Sequence, residues 1–188
     1  MTATWKTGLA AIALASLPLV SACTKVEDEN PETATKDDGT LTLAAALGSN
    51  EELGTLRAAI EQSELSGVLE GPASYTLLAP SNAAFDALGT EGTTLLKDEQ
   101  RPVLVAVLRD HLLPGHLTPE AIGEAIDRKG GPVTMATLGQ AEVTFSKSGE
   151  TVNVVMDDGS DAAFAGTAIA ANNGVVIPIN KVLLPPKG

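Results

Sequence analysis

The sequence predicts an α+β domain, and three observations carry that reading. Apolar residues at helical spacing dominate before Arg128, whereas short runs of strand composition dominate after it. Within the helical half, Tyr75 to Leu88 reads as a buried strand that stops at a proline and turns straight into a helix. The chain is 44% hydrophobic but only 3% aromatic, so its core must be built from Leu, Val, Ile and Ala. A length of 188 residues favours one domain plus extras.

The first residues read as a targeting segment rather than fold. Lys6 forms a short basic region, Leu9 to Leu17 an apolar one, and Pro18 breaks it before Ser21 and Ala22. That apolar run is shorter than the roughly 20 residues needed to cross a bilayer. Val20-Ser21-Ala22-Cys23 resembles the lipobox of bacterial lipoproteins. The resemblance implies cleavage before Cys23, diacylglycerol on its thiol and acylation of the new amine. Multiple acyl chains anchor firmly where one holds only marginally. The plainer alternative is an ordinary signal peptide with Cys23 incidental. Thr24 after the cysteine favours, by similarity to lipoproteins of diderm bacteria, release to the outer membrane of the cell envelope. Cleavage would also remove Trp5, the only tryptophan.

Residues 23–39 follow as an acidic tether. Thr24 to Gly39 carries almost no apolar side chain and is expected to remain a solvated spacer, reaching about 50 Å at full stretch. Residues 40–188 form the expected single domain. Leu41, Leu43, Ala44 and Leu47 predict a short helix ended by Gly48. Asn50 caps a second helix with Leu53, Leu56, Ala59 and Ile60 along one face. Leu65, Val68 and Leu69 predict a third, closed by Gly71-Pro72. Tyr75 to Ala79 is the strand, Pro80 its stop, and Ser81 and Asn82 offer oxygens to the N–H groups of a helix buried along Ala84, Phe85 and Leu88. A helix from about Asp98 buries Val103, Leu104, Val107 and Leu108. His111-Leu112-Leu113 reads as extended before the Pro114-Gly115 turn. Thr118 and Pro119 open a helix that Gly130-Gly131-Pro132 ends. Strands are expected over Val133–Thr137, Ala141–Ser146, Thr151–Met156, Ala163–Ala170 and Val175–Leu184, with a turn at Ser148-Gly149. No internal repeat is visible.

Three stretches, in order, resemble conserved blocks of the fasciclin (FAS1) domain family. They are Thr76-Leu77-Leu78-Ala79-Pro80-Ser81-Asn82-Ala83-Ala84-Phe85, Leu108-Arg109-Asp110-His111-Leu112-Leu113-Pro114-Gly115, and Asn173-Gly174-Val175-Val176-Ile177-Pro178-Ile179-Asn180-Lys181-Val182-Leu183-Leu184-Pro185. The resemblance implies a β-sandwich wedge with helices packed around one side. It further implies an extracytoplasmic adhesion or interaction module with no cofactor and no common catalytic centre. Two positions depart from the family pattern. Asp110 stands where tyrosine is frequent, and is expected to leave the apolar surface if His111 faces inward from a strand. Pro178 stands where histidine is frequent, and is expected at a sheet edge or bulge because it lacks an N–H. No Arg-Gly-Asp triplet occurs.

Charge and residue inventory narrow the chemistry. With 12 basic against 24 acidic residues the net charge is −12, which repels phosphate backbones and argues against a nucleic-acid partner. One cysteine excludes an intramolecular disulfide and a Cys-rich metal site. His111 is expected to be a buried, structural histidine bonded to the Ser81 or Asn82 region, so that Ser81, Asn82 and His111 form one polar cluster. His116 is expected to be solvated, and two histidines around a turn make no zinc site. Asp157 to Asp161 reads as a loop tip with weak Ca²⁺ binding as its alternative, since it lacks EF-hand spacing. The sequence therefore points to a lipid-anchored, non-enzymatic envelope protein that adheres to a protein or polysaccharide. A small-molecule or polysaccharide-binding lipoprotein is the alternative, and an enzyme built on His111 and Asp110 is a third.

Overall fold

The computed structural model describes residues 35–37 and 39–184. The readings of the signal segment, of Cys23 and of most of the tether lie outside those residues. The helical half runs β1 (Thr35–Asp37), α1 (Leu43–Gly48), α2 (Gly54–Gln62), α3 (Ser66–Glu70), β2 (Tyr75–Pro80), α4 (Asn82–Ala87), α5 (Thr90–Leu95), α6 (Arg101–Asp110), β3 (Leu112–Pro114) and α7 (Pro119–Lys129). The strand half runs β4 (Val133–Ala136), β5 (Glu142–Ser148), β6 (Thr151–Met156), β7 (Asp161–Ala163), β8 (Ala168–Ala171) and β9 (Gly174–Ile179).

Two sheets result. The first is mixed, in the order β1-β8-β9-β2-β3, with β2 parallel to β9 from Tyr75↔Gly174 to Pro80↔Ile179. The second is an antiparallel meander, β4-β5-β6-β7. The expected α+β class holds: the second sheet is wholly antiparallel, and the first is mixed, with a parallel pair at its heart. That pair joins the two halves of the chain, which no local pattern could announce.

The pleat of the first sheet sets the layers. Leu77 and Val176 point into one apolar cluster with Leu43, Leu56 and Leu104 from the helices. Their neighbours Leu78 and Ile177 point the other way, into a second cluster with Phe145 and Val154 of the meander and Ile122 of α7. The sheet is thus covered on both faces, as the apolar run at 75–79 predicts. Aliphatic side chains fill both layers, and Phe145 and Phe164 meet edge-to-face at 6.0 Å in the second.

Local punctuation follows the chemistry at three of the seven described α-helix starts. Thr42, Ser81 and Thr118 cap α1, α4 and α7 through their hydroxyls, and Gly130 closes α7 at φ 70°. Asn50 caps a single 3₁₀ turn, Glu51–Leu53, that leads into α2. Four expectations need correction. Thr35–Asp37, inside the expected solvated tether, pair in parallel with β8, because an edge strand needs only backbone groups and not an apolar face. Val103 is 50% exposed, since the buried stripe of α6 is Leu104, Val107 and Leu108 and Val103 lies to one side of it. The last two expected strands are shorter: the chain between Ala163 and Ala168 leaves the ladder, and β9 ends at Ile179.

Pro178 is the fourth. It is buried in a central strand, not at an edge. Bonds from Tyr75 N to the Asn173 carbonyl and from Ser81 N to the Ile179 carbonyl show that the odd-numbered residues of β9 face β2. The missing N–H of Pro178 therefore points toward β8, which begins only at Ala168, and Pro178 meets instead the irregular Ala165 region, whose N–H its carbonyl accepts.

Asn173, in the turn between β8 and β9, binds the helical layer to the sheet. Its Oδ1 accepts from Leu43 N at 2.7 Å, and its Nδ2 donates to the carbonyls of Leu69 and Gly71 at 2.9 Å each. Next to it, a Cβ on Gly174 would collide with the carbonyl oxygen of Tyr75. Replacing Asn173 with Ala strands one N–H and two carbonyls, and is expected to lower unfolding free energy by about 3 kcal/mol in urea titrations. Asn173→Asp keeps the acceptor but sets a carboxylate against two carbonyls, so it should not restore stability.

Candidate functional site

His111 is the most constrained polar side chain of the domain. It caps the C-terminus of α6 with helical backbone angles, so it is not the strand residue expected from the sequence. It is 1% exposed. Its Nδ1 lies 2.8 Å from the Val107 carbonyl, and its Nε2 accepts from the Leu183 N–H at 3.1 Å. A carbonyl partner requires a proton on Nδ1, and an N–H partner requires a bare Nε2, so the two bonds together define the neutral Nδ1–H tautomer. Burial pushes the imidazole from 6.5 down to about 4, against a smaller upward pull from the Val107 bond.

Ser81, Asn82 and His111 do not form one cluster. Ser81 is fully occupied as the cap of α4, accepting from Ala84 N at 3.2 Å. Asn82 turns away from its own helix. Its Oδ1 accepts from Thr55 N at the start of α2, and its Nδ2 donates to the Glu51 carbonyl, both at 2.9 Å. The first two blocks do meet, but through backbone: Leu78 N donates to the His111 carbonyl at 2.9 Å. A side chain already satisfied within its helix leaves that junction to the main chain.

The remaining candidates are quieter. Asp110 is the last residue of α6, half-buried, and accepts from the Thr137 hydroxyl at 2.9 Å. It does stay off the apolar core, by helix geometry rather than strand alternation. His116 is exposed and its Nε2 lies 3.2 Å from the Ala171 carbonyl. Asp158 to Ser160 forms a tight turn in which Asp158 Oδ1 accepts from Ser160 N at 2.8 Å, while Asp161 pairs with Lys181 at 2.7 Å. Those carboxylates point apart, and among the described residues no three His, Cys, Asp or Glu side chains converge as metal ligands. Two residues of consequence carry no sequence-level role. One is Asn173. The other is Thr76, fully buried, whose hydroxyl donates to the Gly115 carbonyl at 2.9 Å and accepts from Leu117 N at 2.8 Å. Both lie inside recognisable blocks, which was the only signal available.

Beside His111 lies a half-open groove of about 530 Å³. Its walls are α5, α6, the β6–β7 turn and the segment after β9, and two of its wall residues, Val107 and Leu183, are the ones His111 bonds. The histidine thus sets the spacing of the groove without reaching into it.

A mixed sheet between a helical layer and an antiparallel meander, with a buried histidine sealed in hydrogen bonds, defines an α+β wedge. The chain belongs to the fasciclin domain family, whose model matches residues 51–185. It is 32% identical over 151 residues to the protein sll1483 of Synechocystis, covering 79% of this chain and 76% of that one. It is 30% identical over 131 residues to transforming growth factor-beta-induced protein ig-h3 of Sus scrofa, 70% of this chain but 17% of that protein. It is 28% identical over 149 residues to the cell surface glycolipoprotein MPB83 of Mycobacterium bovis, 77% of this chain and 60% of that one. In fold it is similar to the FAS1 domain pair of the insect cell adhesion molecule Fasciclin I. The TM-score is 0.68 at 13% identity, over 78% of this chain and 51% of the other.

Two outcomes follow from this geometry. Because the folded-state pKa of His111 lies below the unfolded one, the unfolded chain binds more protons between about pH 6.5 and 4. The stability His111 supplies is complete above 6.5 and is lost as pH falls toward about 4, by up to about 1.4 kcal/mol per pH unit. Urea midpoints measured across that range should show this slope, and His111→Asn should flatten it. On the other side of the corner, Ser81→Ala removes one cap bond and should cost about 1 kcal/mol. Asn82→Ala removes two bonds that cross between helices and should cost about 2 kcal/mol. Equal losses at the two positions in thermal or urea unfolding would count against the cross-link.

Proposed function

We propose that this chain is a lipid-anchored protein of the bacterial cell envelope whose single fasciclin domain acts by non-enzymatic adhesion to a protein or polysaccharide partner. The observation that carries the non-enzymatic part is the state of His111. Both its nitrogens are engaged by backbone groups, it is buried, and neither is left to take a proton from a substrate. Asp110, the other half of any such pair, is turned to Thr137.

The anchor rests on Cys23, placed after Val20-Ser21-Ala22, and on its expected acylation, palmitate included. A cell surface glycolipoprotein among the similar proteins supports a surface location. No helix among the described residues is long and apolar enough to cross a membrane. Release to the outer membrane follows from Thr24, as set out from the sequence. The second reading, a small-molecule-binding envelope lipoprotein, is favoured by the groove beside His111.

The anchor predicts a clear fractionation result. Wild-type protein should sediment with membranes, carry acyl mass on an N-terminal Cys23 and show no tryptophan fluorescence, because Trp5 leaves with the signal segment. Cys23→Ala should be found in the soluble fraction; a membrane-bound Cys23→Ala protein would overturn the anchor. Adhesion is tested by saturable binding of the full chain to envelope or matrix extracts, and its absence would overturn the interaction role.

A further inference from the structure

We propose that the groove beside His111 binds a small molecule that joins an apolar body to a cationic head, an alkyl or aryl amine. This deepens the second, small-molecule reading of the same groove and rests on neither the anchor nor the adhesion reading. The volume, about 530 Å³, is that of a ligand site. The floor is apolar, formed by Leu95, Val107, Met156 and Leu183. At the lip stands Val103, one of two large apolar side chains left exposed among the described residues.

The charged groups that line the groove are of one sign: Glu91, Asp110 and Asp158, with no Lys or Arg, beside the neutral Thr90, Thr94 and Gln100. Asp110 and Asp158 each have one oxygen engaged, Oδ1 of Asp110 by the Thr137 hydroxyl and Oδ1 of Asp158 by the Ser160 N–H. Among the described residues neither of these two forms an ion pair. Carboxylates beside a low-dielectric wall favour a cation and reject an anion of the same shape. A groove of this volume suits a free small molecule, since a standard protein interface needs about 800 Å² from each partner. The walls are held in place before any ligand arrives, because His111 ties Val107 to Leu183.

The test is a calorimetric titration of the full-length chain, at low salt, with octylammonium, octanoate and octanol. Octylammonium should bind about tenfold more tightly than octanoate, which corresponds to about 1.4 kcal/mol from the groove carboxylates together. The double variant Asp110→Asn/Asp158→Asn keeps both Oδ1 acceptors and so keeps the fold. It should bring octylammonium down toward the affinity of octanol, with Glu91 the one groove carboxylate left. Ala106→Phe, on the exposed side of α6, should fill the groove and abolish binding of all three at an unchanged melting temperature. Octylammonium no tighter than octanoate, or binding indifferent to Ala106→Phe, overturns the proposal. So does binding that appears only after removal of residues 185–188, which would assign the groove to the chain's own Lys187. A dimer that Ala106→Phe dissolves would assign it to a second copy.

Discussion

A neutral imidazole is the constraint on which the rest of the domain depends. His111 donates through Nδ1 to α6 and accepts through Nε2 from the segment after β9, while its carbonyl receives Leu78 of β2. Three stretches distant in sequence therefore meet at one residue. The other tautomer breaks both side-chain bonds at once, and the imidazolium breaks the bond from Leu183. Inside an apolar layer such bonds are strong when made and expensive when lost, so the histidine enforces one arrangement of helix, sheet and closing segment rather than a family of similar ones.

Two asparagines do comparable work in the helical layer. Helices of five to nine residues, such as α1 to α4, are too short to persist alone, and their ends expose N–H and C=O groups that lack partners. A primary amide carries acceptor and donors together. Asn82 satisfies the start of α2 from the start of α4. Asn173 satisfies the start of α1 and the end of α3 from the sheet. Short helices are tolerable because their ends are closed by side chains from other elements.

This explains what could be read from the sequence and what could not. The corner at Tyr75–Leu88 was legible because proline and a serine cap act within a few residues. The α+β class and the order of three blocks were legible for the same local reason. Asn82 looked like a second cap for α4 because nothing local reveals that Thr55 is its partner. His111 was recognisable as buried and structural, yet its partners Val107 and Leu183 are backbone groups, which have no identity in a sequence. Val103 was assigned to the core because helical periodicity gives the width of an apolar stripe better than its edge. Helix α5, with two threonines and a glycine in its last four residues, has weak intrinsic propensity and forms because its Leu95 and Gly92 pack inward. Strand β1 was unreadable because edge pairing asks nothing of side chains.

The same logic separates the side chains that close the fold from those left at its surface. Five polar residues of the family blocks, Thr76, Ser81, Asn82, His111 and Asn173, have their side chains engaged in closing the fold. None is left to recognise a partner. The residues that line the groove mouth, Val103, Asp110 and Asp158, contribute to the fold through at most one oxygen each. They can therefore change identity while the layers stay intact. The ends of the helical layer, the meander and the closing segment come together at that groove, and a scaffold held by backbone and buried amides leaves its mouth open to specialise.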